Sequence, residues 1–400
     1  MTELLAPAGN IERLKWAVEY GADAVYFGIH QFSLRSFAGN FSIDEVDEGI
    51  KYLHDRGRKG YVTLNAYPFS NEFPNLTSSA RILDEIGVDA FIVADLGVLS
   101  ELASLNLNAA LHISTQANTV NFQSALAYRN LGARRVNLAR ELSIDQIVDI
   151  QNHLKNSDVE TEVFIHGSVC FSQSGRCAIS DYLTGRRANR GECTHPCRWK
   201  YSLVEEKRPD LSLPIMEDER GAYIFNTKDL ALFPYVHSLV DAGVASLKIE
   251  GRMKNAHYLA SVLPVYRAFL DGRGMDSEEA WKRLGRVDNR SFSFGFMKGS
   301  IDHEDYETTT DKYKSTSVWI AATTEELTDG MRVCRVKNTI HAGESLELLT
   351  PDGSISQFVA PNPIITITGE RVGRANNQDT IVLDAGIPSY SILRRVTEGS

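Results

Sequence analysis

The sequence predicts a (β/α)8 barrel followed by a small C-terminal antiparallel β-barrel domain. Three observations carry this. A helix end, a glycine, a small residue and an apolar run recur at Gly21-Ala22-Asp23-Ala24-Val25-Tyr26-Phe27, Gly87-Val88-Asp89-Ala90-Phe91-Ile92-Val93, Gly132-Ala133-Arg134-Arg135-Val136-Asn137-Leu138 and Gly243-Val244-Ala245-Ser246-Leu247-Lys248-Ile249. Amphipathic helices fill the intervals, as at Ile11, Leu14 and Val18. After about residue 270 the pattern changes to short β-like runs separated by turn residues.

Glycine ends each helix because it adopts the left-handed conformation without steric cost, and a buried strand then starts after a short linker. That is the grammar of repeated βα units, so a parallel sheet is expected. Four further strands complete the set: Leu4–Ala8, Gly60–Asn65, Ala109–Thr115 and Glu162–His166. Eight strands and their helices over about 250 residues fit a closed barrel, with a doubly wound open sheet as the competing arrangement. Residues 1–270 are assigned to the barrel, with a cysteine-rich insertion at 167–200, and residues 271–314 to a connector containing Ser291-Phe292-Ser293-Phe294-Gly295-Phe296. Residues 315–400 form the β domain, with strands expected at Val318–Ala321, Met331–Lys337, Ser345–Leu349, Ser356–Ala360, Ile364–Thr368, Thr380–Leu383 and Ile392–Val396. The polar, proline-containing segment Glu205–Glu219 is read as a loop.

No apolar run approaches the ~20 residues of a membrane helix. The start, Met1-Thr2-Glu3-Leu4-Leu5-Ala6-Pro7, has neither basic nor apolar signal-peptide regions, so a cytoplasmic location and no membrane partner are expected. The formal net charge of −10 argues against a general, charge-driven DNA binder.

Four of the five cysteines, Cys170, Cys177, Cys193 and Cys197, follow the seventh strand in the spacing C-x6-C-x15-C-x3-C. In a barrel this is the C-terminal face, where the βα loops build active sites. A structural zinc ribbon prefers two tight pairs, and the first pair here is too loose. A [4Fe–4S] cluster accepts irregular spacing and is the favoured reading, ahead of zinc or disulfides. Cys334, far away, is read as a small buried apolar residue. The same stretch holds Arg176, Arg186, Arg187, Arg190, Arg198 and Lys200 against Asp181 and Glu192. This local excess of positive charge is read as a phosphate-contacting patch, or as a solvated loop that offsets thiolate charge.

Polar residues alternate where a buried parallel strand should be apolar. His112, Ser114 and Gln116 share one face, as do Lys248, Glu250 and Arg252. With Asn65, Asp95, Arg140, Glu141 and His166 they are expected to line the barrel mouth, where arginine can clamp a carboxylate or phosphate. Arg140-Glu141 also precedes Ser143-Ile144-Asp145-Gln146, a capped helix start, so Glu141 has an architectural alternative.

The run Glu162-x-Phe164-x-x-Gly167-Ser168-Val169-Cys170-x4-Gly175-x-Cys177-x-Ile179-Ser180 resembles peptidase family U32. Glu3-Leu4-Leu5-Ala6-Pro7-Ala8-Gly9, His112-Ile113-Ser114-Thr115-Gln116-Ala117-Asn118, Arg140-Glu141-Leu142-Ser143 and Ser246-Leu247-Lys248-Ile249-Glu250-Gly251-Arg252 are also similar to it, over about residues 1–300. The family's proteolytic name finds little support, because neither H-E-x-x-H nor G-x-S-x-G occurs. The resemblance implies instead an oxygen-independent hydroxylase, nearest to the branch that forms 5-hydroxyuridine at the tRNA wobble position and is linked to prephenate. In that reading the four clustered cysteines hold a [4Fe–4S] cluster. Arg186, Arg187, Arg190, Arg198 and Lys200 contact RNA, aided by the β domain. Ser114, Gln116, Arg140, Lys248 and Arg252 bind a small anionic co-substrate, and His112 and Glu250 move protons. A quinone-precursor hydroxylase, a collagenase-like protease and a non-catalytic RNA-binding protein with a structural cluster are the alternatives.

Overall fold

The computed structural model describes residues 2–33, 39–169, 179–186, 188–190, 192–196, 228–299 and 314–397, and four short strands between 203 and 223. Two compact units interleave along the chain. One comprises Met1–Leu14, Asp23–Met253 and Arg290–Tyr313; the other comprises Lys15–Ala22, Lys254–Asn289 and Lys314–Ser400.

The first unit is the expected barrel. Parallel strands β1 (Glu3–Pro7), β2 (Ala24–Gly28), β3 (Lys59–Leu64), β4 (Ala90–Val93), β5 (Ala110–Ile113), β6 (Ala133–Asn137) and β7 (Glu160–Gly167) pair in sequence order. After a further strand β8 (Asp229–Ala231), strand β9 (Ser246–Ile249) pairs with both β7 and β1 and closes the ring. Gly21, Gly87, Gly132 and Gly243 all have φ between 92° and 102°, the left-handed turn on which the repeat depends. Helix starts are capped as the side chains allow. Ser42 and Ser143 form capping boxes with Glu45 and Gln146, and Asp95 caps its helix through Val98 N. Asp95 is thereby architectural.

Strand β8 was not expected. It runs antiparallel to the top of β7, pairing Leu230 with Gly167 and Ala231 with His166, and Phe292–Ser293 adds to it in parallel. Its sequence is short and begins with a charge, so it carries no strand signal of its own. Asp229 is buried because Arg290 Nη2 donates to its Oδ1 at 2.7 Å. The loop expected at Glu205–Glu219 is replaced by antiparallel pairs, Leu203–Glu205 with Arg208–Leu213 and Met216–Asp218 with Gly221–Tyr223. The alternation of Leu211 and Leu213 with polar residues suits such an edge better than its proline suggested.

In the second unit all seven expected strands form. In sheet order they and one addition run Ile355–Val359, Ser345–Leu349, Ile392–Val396, Ser317–Thr328, Met331–Val336, Thr380–Leu383, Ile364–Thr366 and Arg371–Val372. The antiparallel sheet curls round one core of Ile320, Val336, Leu346, Ile364, Ile381 and Leu393, against which Phe358 and Val372 of the two edge strands both pack. Cys334 lies in this core with its thiol pKa pushed up to about 12 by burial, in keeping with a small apolar residue. Arg394 is fully buried, held by Glu347 Oε2 at 2.9 Å, and Glu347 Oε1 also accepts from Arg286.

Candidate active site

Strand alternation decides what enters the barrel. Leu5, Ala24, Tyr26, Tyr61, Ala90 and Ile92 form an apolar cluster on the side of β1 to β4. The opposite side is charged, whereas such interiors are usually branched aliphatics. At the N-terminal end Arg135 Nη1 donates to Glu3 Oε1 at 2.6 Å, and its Nη2 lies 2.9 Å from Glu160 Oε2. Ser246 and Tyr61 also donate to Glu3. Burial and then the charge of Glu3 raise the Tyr61 pKa, so its hydroxyl keeps its proton.

One layer higher, Lys248 Nζ donates to Glu162 Oε1 at 2.8 Å, and Asn137 Nδ2 donates to the same oxygen at 2.8 Å. The ammonium is boxed by the Tyr26 ring at 4.4 Å and the Phe164 ring at 5.3 Å. Lys248, expected to bind substrate, has its charge matched by Glu162 inside the barrel. His112 stands edge-on to Tyr61, with ring centroids 4.9 Å apart. Burial foremost, then Arg135 and Lys248, lower its pKa well below the ordinary range, so the imidazole is neutral. Its Nδ1 has no hydrogen-bond partner among the described residues.

Four groupings are found at the mouth. Gln116 Oε1 accepts from Asn65 Nδ2 at 2.9 Å and from Ser114 Oγ at 3.1 Å. Arg252 Nη1 donates to Ser33 Oγ at 2.9 Å and Thr63 Oγ1 at 3.2 Å. It lies against Gly28, where a Cβ would come within 2.4 Å of that nitrogen. Two residues back on the same two segments, the Tyr26 hydroxyl lies 3.0 Å from Glu250 Oε2. Arg140 stacks 4.8 Å from the Phe164 ring centre and borders a small apolar pocket with Leu230, Leu232, Phe294 and Met297. Its Nε is buried with no hydrogen-bond partner among the described residues. Glu141 is half-buried beside it, and His166 is buried at the top of β7.

Of the expected ligand set, Cys193 is described. Cys170, Cys177 and Cys197 lie outside the described residues, as do Arg187, Arg198 and Lys200. Cys193 Sγ accepts from His195 N at 3.4 Å and is half-exposed. Arg186 is exposed. Arg190 is not: its Nη atoms lie 3.0 and 2.8 Å from the two Glu72 oxygens, its Nη1 donates to Tyr67 O at 2.6 Å, and its guanidinium covers the Phe69 ring at 4.0 Å. Arg190, expected to contact RNA, thus has both ends of its fork engaged within the chain. Sequence reasoning also missed the Asp229–Arg290 pair, to which Ser168 Oγ donates at 3.2 Å just before Cys170. Sixty-one positions separate that pair, and no local pattern links them.

No helix among the described residues is long and apolar enough to cross a membrane. A 33% identical relative from Escherichia coli is named tRNA hydroxylation protein P, and the alignment covers 88% of this chain and 87% of that protein. A second Escherichia coli relative, a 23S rRNA 5-hydroxycytidine synthase, is 36% identical over 75% of this chain and 45% of its own length. A third, from Porphyromonas gingivalis, is named collagenase and is 32% identical over 74% of this chain and 73% of its own. The profile described as peptidase family U32 matches residues 9–307, most of the chain, and the chain belongs to that family.

Proposed function

We propose that this chain is an RNA-modifying hydroxylase that forms 5-hydroxyuridine at the tRNA wobble position. The carrying observation is the likeness to a tRNA hydroxylation protein along nearly the whole of both chains, second unit included. The rRNA-modifying relative supports pyrimidine hydroxylation at the 5 position as the shared chemistry.

The donor set suits a [4Fe–4S] cluster on Cys170, Cys177, Cys193 and Cys197. The described sulfur, on Cys193, is accessible and accepts an amide hydrogen bond, a contact that tunes cluster thiolates. Such a cluster, when bound, supplies electron transfer or an iron site for substrate. The chain's own residues do the rest. Arg140, with an unused buried donor over an aromatic face, is the best placed to hold the carboxylate of a prephenate-like co-substrate. Arg252 is held by Ser33 and Thr63 beside Gly28 and supports the opposite side of the mouth. Glu250, hydrogen-bonded to Tyr26, is the proton-transfer candidate at the mouth, while neutral His112 lies a layer below.

RNA contact falls to Arg186 and its neighbours Arg187, Arg198 and Lys200. The β domain contributes little attraction by charge, since residues 315–400 hold seven Lys and Arg against ten Asp and Glu. A serine protease needs a serine paired with a base. Ser168 instead donates to Asp229, a carboxylate already held by Arg290. The test is nucleoside mass spectrometry of tRNA from cells with and without the gene. Loss of 5-hydroxyuridine derivatives is expected, and an unchanged nucleoside profile rejects the function.

A further inference from the structure

The β domain is acidic in sum, yet its charges are sorted. Arg394 and Arg395 are matched by Glu347 and Glu344, and Arg332 donates to the carbonyls of Thr324, Glu325 and Ile387. Lys337, Arg371 and Arg374 have no acidic partner among the described residues. Two of these three stand on one antiparallel ribbon. Arg335 pairs with Thr380, and beyond a bend the same register resumes with Ile340 on Ala375 and His341 on Arg374. Across the bend Gln378 N donates to Val336 O, and Thr339 Oγ1 donates to Asn376 Oδ1 at 3.4 Å. Cys334, Val336, Ile340, Ala375 and Ile381 belong to the core, so strand alternation sends Arg335, His341, Arg374 and Thr380 outward. At the bend, the Lys337 ammonium lies 5.3 Å from the centre of the half-buried Trp319 ring, whose Nε1 is fixed on Ala321 O. The indole thus holds this charge in place without neutralising it. Arg335 has Glu326 at 4.0 Å, but those side chains are 59% and 65% exposed, so the pair is weak.

We propose that the outward face of this ribbon is a docking surface for the tRNA backbone, with Lys337 and Arg374 as its phosphate contacts. The face sets cations among neutral hydroxyl and amide groups, the side-chain types that take phosphate and sugar oxygens. Arg335, Thr339, His341, Arg374, Asn376 and Thr380 include no acid to repel a phosphate and no large aliphatic side chain to anchor a protein partner. The acidic sum of the domain does not forbid this. Charges beyond about 8 Å are screened at physiological salt, so the sign within that reach decides contact, while the net charge decides only the long-range pull. The choice of RNA as occupant rests on the reading that the chain modifies tRNA; the sorting of charge on the ribbon does not.

The experiment uses the full chain, purified anaerobically, and a tRNA transcribed in vitro. Fluorescence anisotropy gives the affinity between about 50 and 200 mM salt. The proteins are wild type, Lys337→Ala/Arg374→Ala, Lys337→Gln/Arg374→Gln, and a control, Lys51→Ala/Lys155→Ala, that removes two exposed lysines from the first unit. The alanine pair should bind about tenfold more weakly or worse, and the slope of log affinity on log salt should shrink by about 1.5, since each phosphate contact contributes about 0.7–0.9. The glutamine pair, which keeps side-chain bulk, should show the same loss, and the midpoint of chemical unfolding should stay at the wild-type value in both. The control pair should change the slope by less than half as much. A wild-type slope in the ribbon variants, or an equal loss in the control, overturns the proposal and leaves the tRNA reading standing. A wild-type protein that binds no tRNA overturns that reading and the proposal with it.

Discussion

Replacing Glu162 by glutamine tests whether the barrel's interior charges are a stability device or a substrate site. The substitution preserves shape and removes one charge. Glu162 and Lys248 are 3% and 4% exposed and 2.8 Å apart. At an effective dielectric of about 20 their attraction is roughly 6 kcal/mol, most of which offsets the cost of burying both ions. Losing the carboxylate leaves Lys248 a neutral amide oxygen and the faces of Tyr26 and Phe164, each face worth about 0.5–2 kcal/mol to a cation. The expected cost of Glu162→Gln is about 3–5 kcal/mol, the range for a buried charge deprived of its partner. Lys248→Met should cost less, because Glu162 keeps Asn137 and has Arg135 Nη1 at 3.7 Å. The double variant should then recover at least about 2 kcal/mol relative to the sum of the singles. Guanidinium unfolding at pH 7, followed by far-ultraviolet circular dichroism, measures all four proteins. A Glu162→Gln cost below about 1 kcal/mol, or singles that simply add, would refute the idea that this pair is matched internally and would return Lys248 to the substrate site.

Three further outcomes follow from the geometry. The His257 pKa is lowered to about 3 by burial and then by Arg394, so below its ordinary value of about 6.5 the unfolded chain takes up a proton that the folded unit refuses. The second unit should therefore lose about 2 kcal/mol between pH 7 and pH 5, read by fluorescence of the nearby Trp319, and His257→Gln should flatten that slope; an unchanged slope contradicts the burial argument. Gly28→Ala places a Cβ where Arg252 Nη1 and Ser33 Oγ now sit, at 2.4 and 2.5 Å, so tRNA hydroxylation should fall about tenfold or more while the chain stays folded, and full activity would remove Arg252 from the site. Cys193→Ser should bleach absorbance near about 400 nm in anaerobic protein, and an unaltered spectrum would take Cys193 out of the ligand set.

The barrel was legible because its signal is local. A glycine at positive φ, a small residue and an apolar run can be read within eight positions, and the chain repeats them. The β domain was legible for the same reason, through turn residues between short alternating runs. What escaped was non-local. Strand β8 exists because Asp229 has Arg290 to pair with, and Arg190 turns inward because Glu72 waits on the opposite rim. The alternation put Lys248, on β9, and Glu250, just after it, on one face. It could not say which of them was already matched, although Glu162 at an inward position of neighbouring β7 offered the complementary charge.

Strand β7 joins these facts. Below, its Glu162 neutralises Lys248; at its top, Gly167 turns the chain with φ 106°, and β8 pairs along its free edge. Ser168 then takes the Asp229 carboxylate two residues before Cys170. A strand that pairs with β6, β8 and β9 and carries a buried ion pair is a rigid base for the cysteine-bearing stretch that follows it in sequence. A second tie, from Arg190 to Glu72, holds the chain three positions before Cys193. The two anchors differ in kind, one buried at the root and one water-accessible at the rim, so they should fail under different stresses: the root with the fold, the rim with added salt or substitution of Glu72.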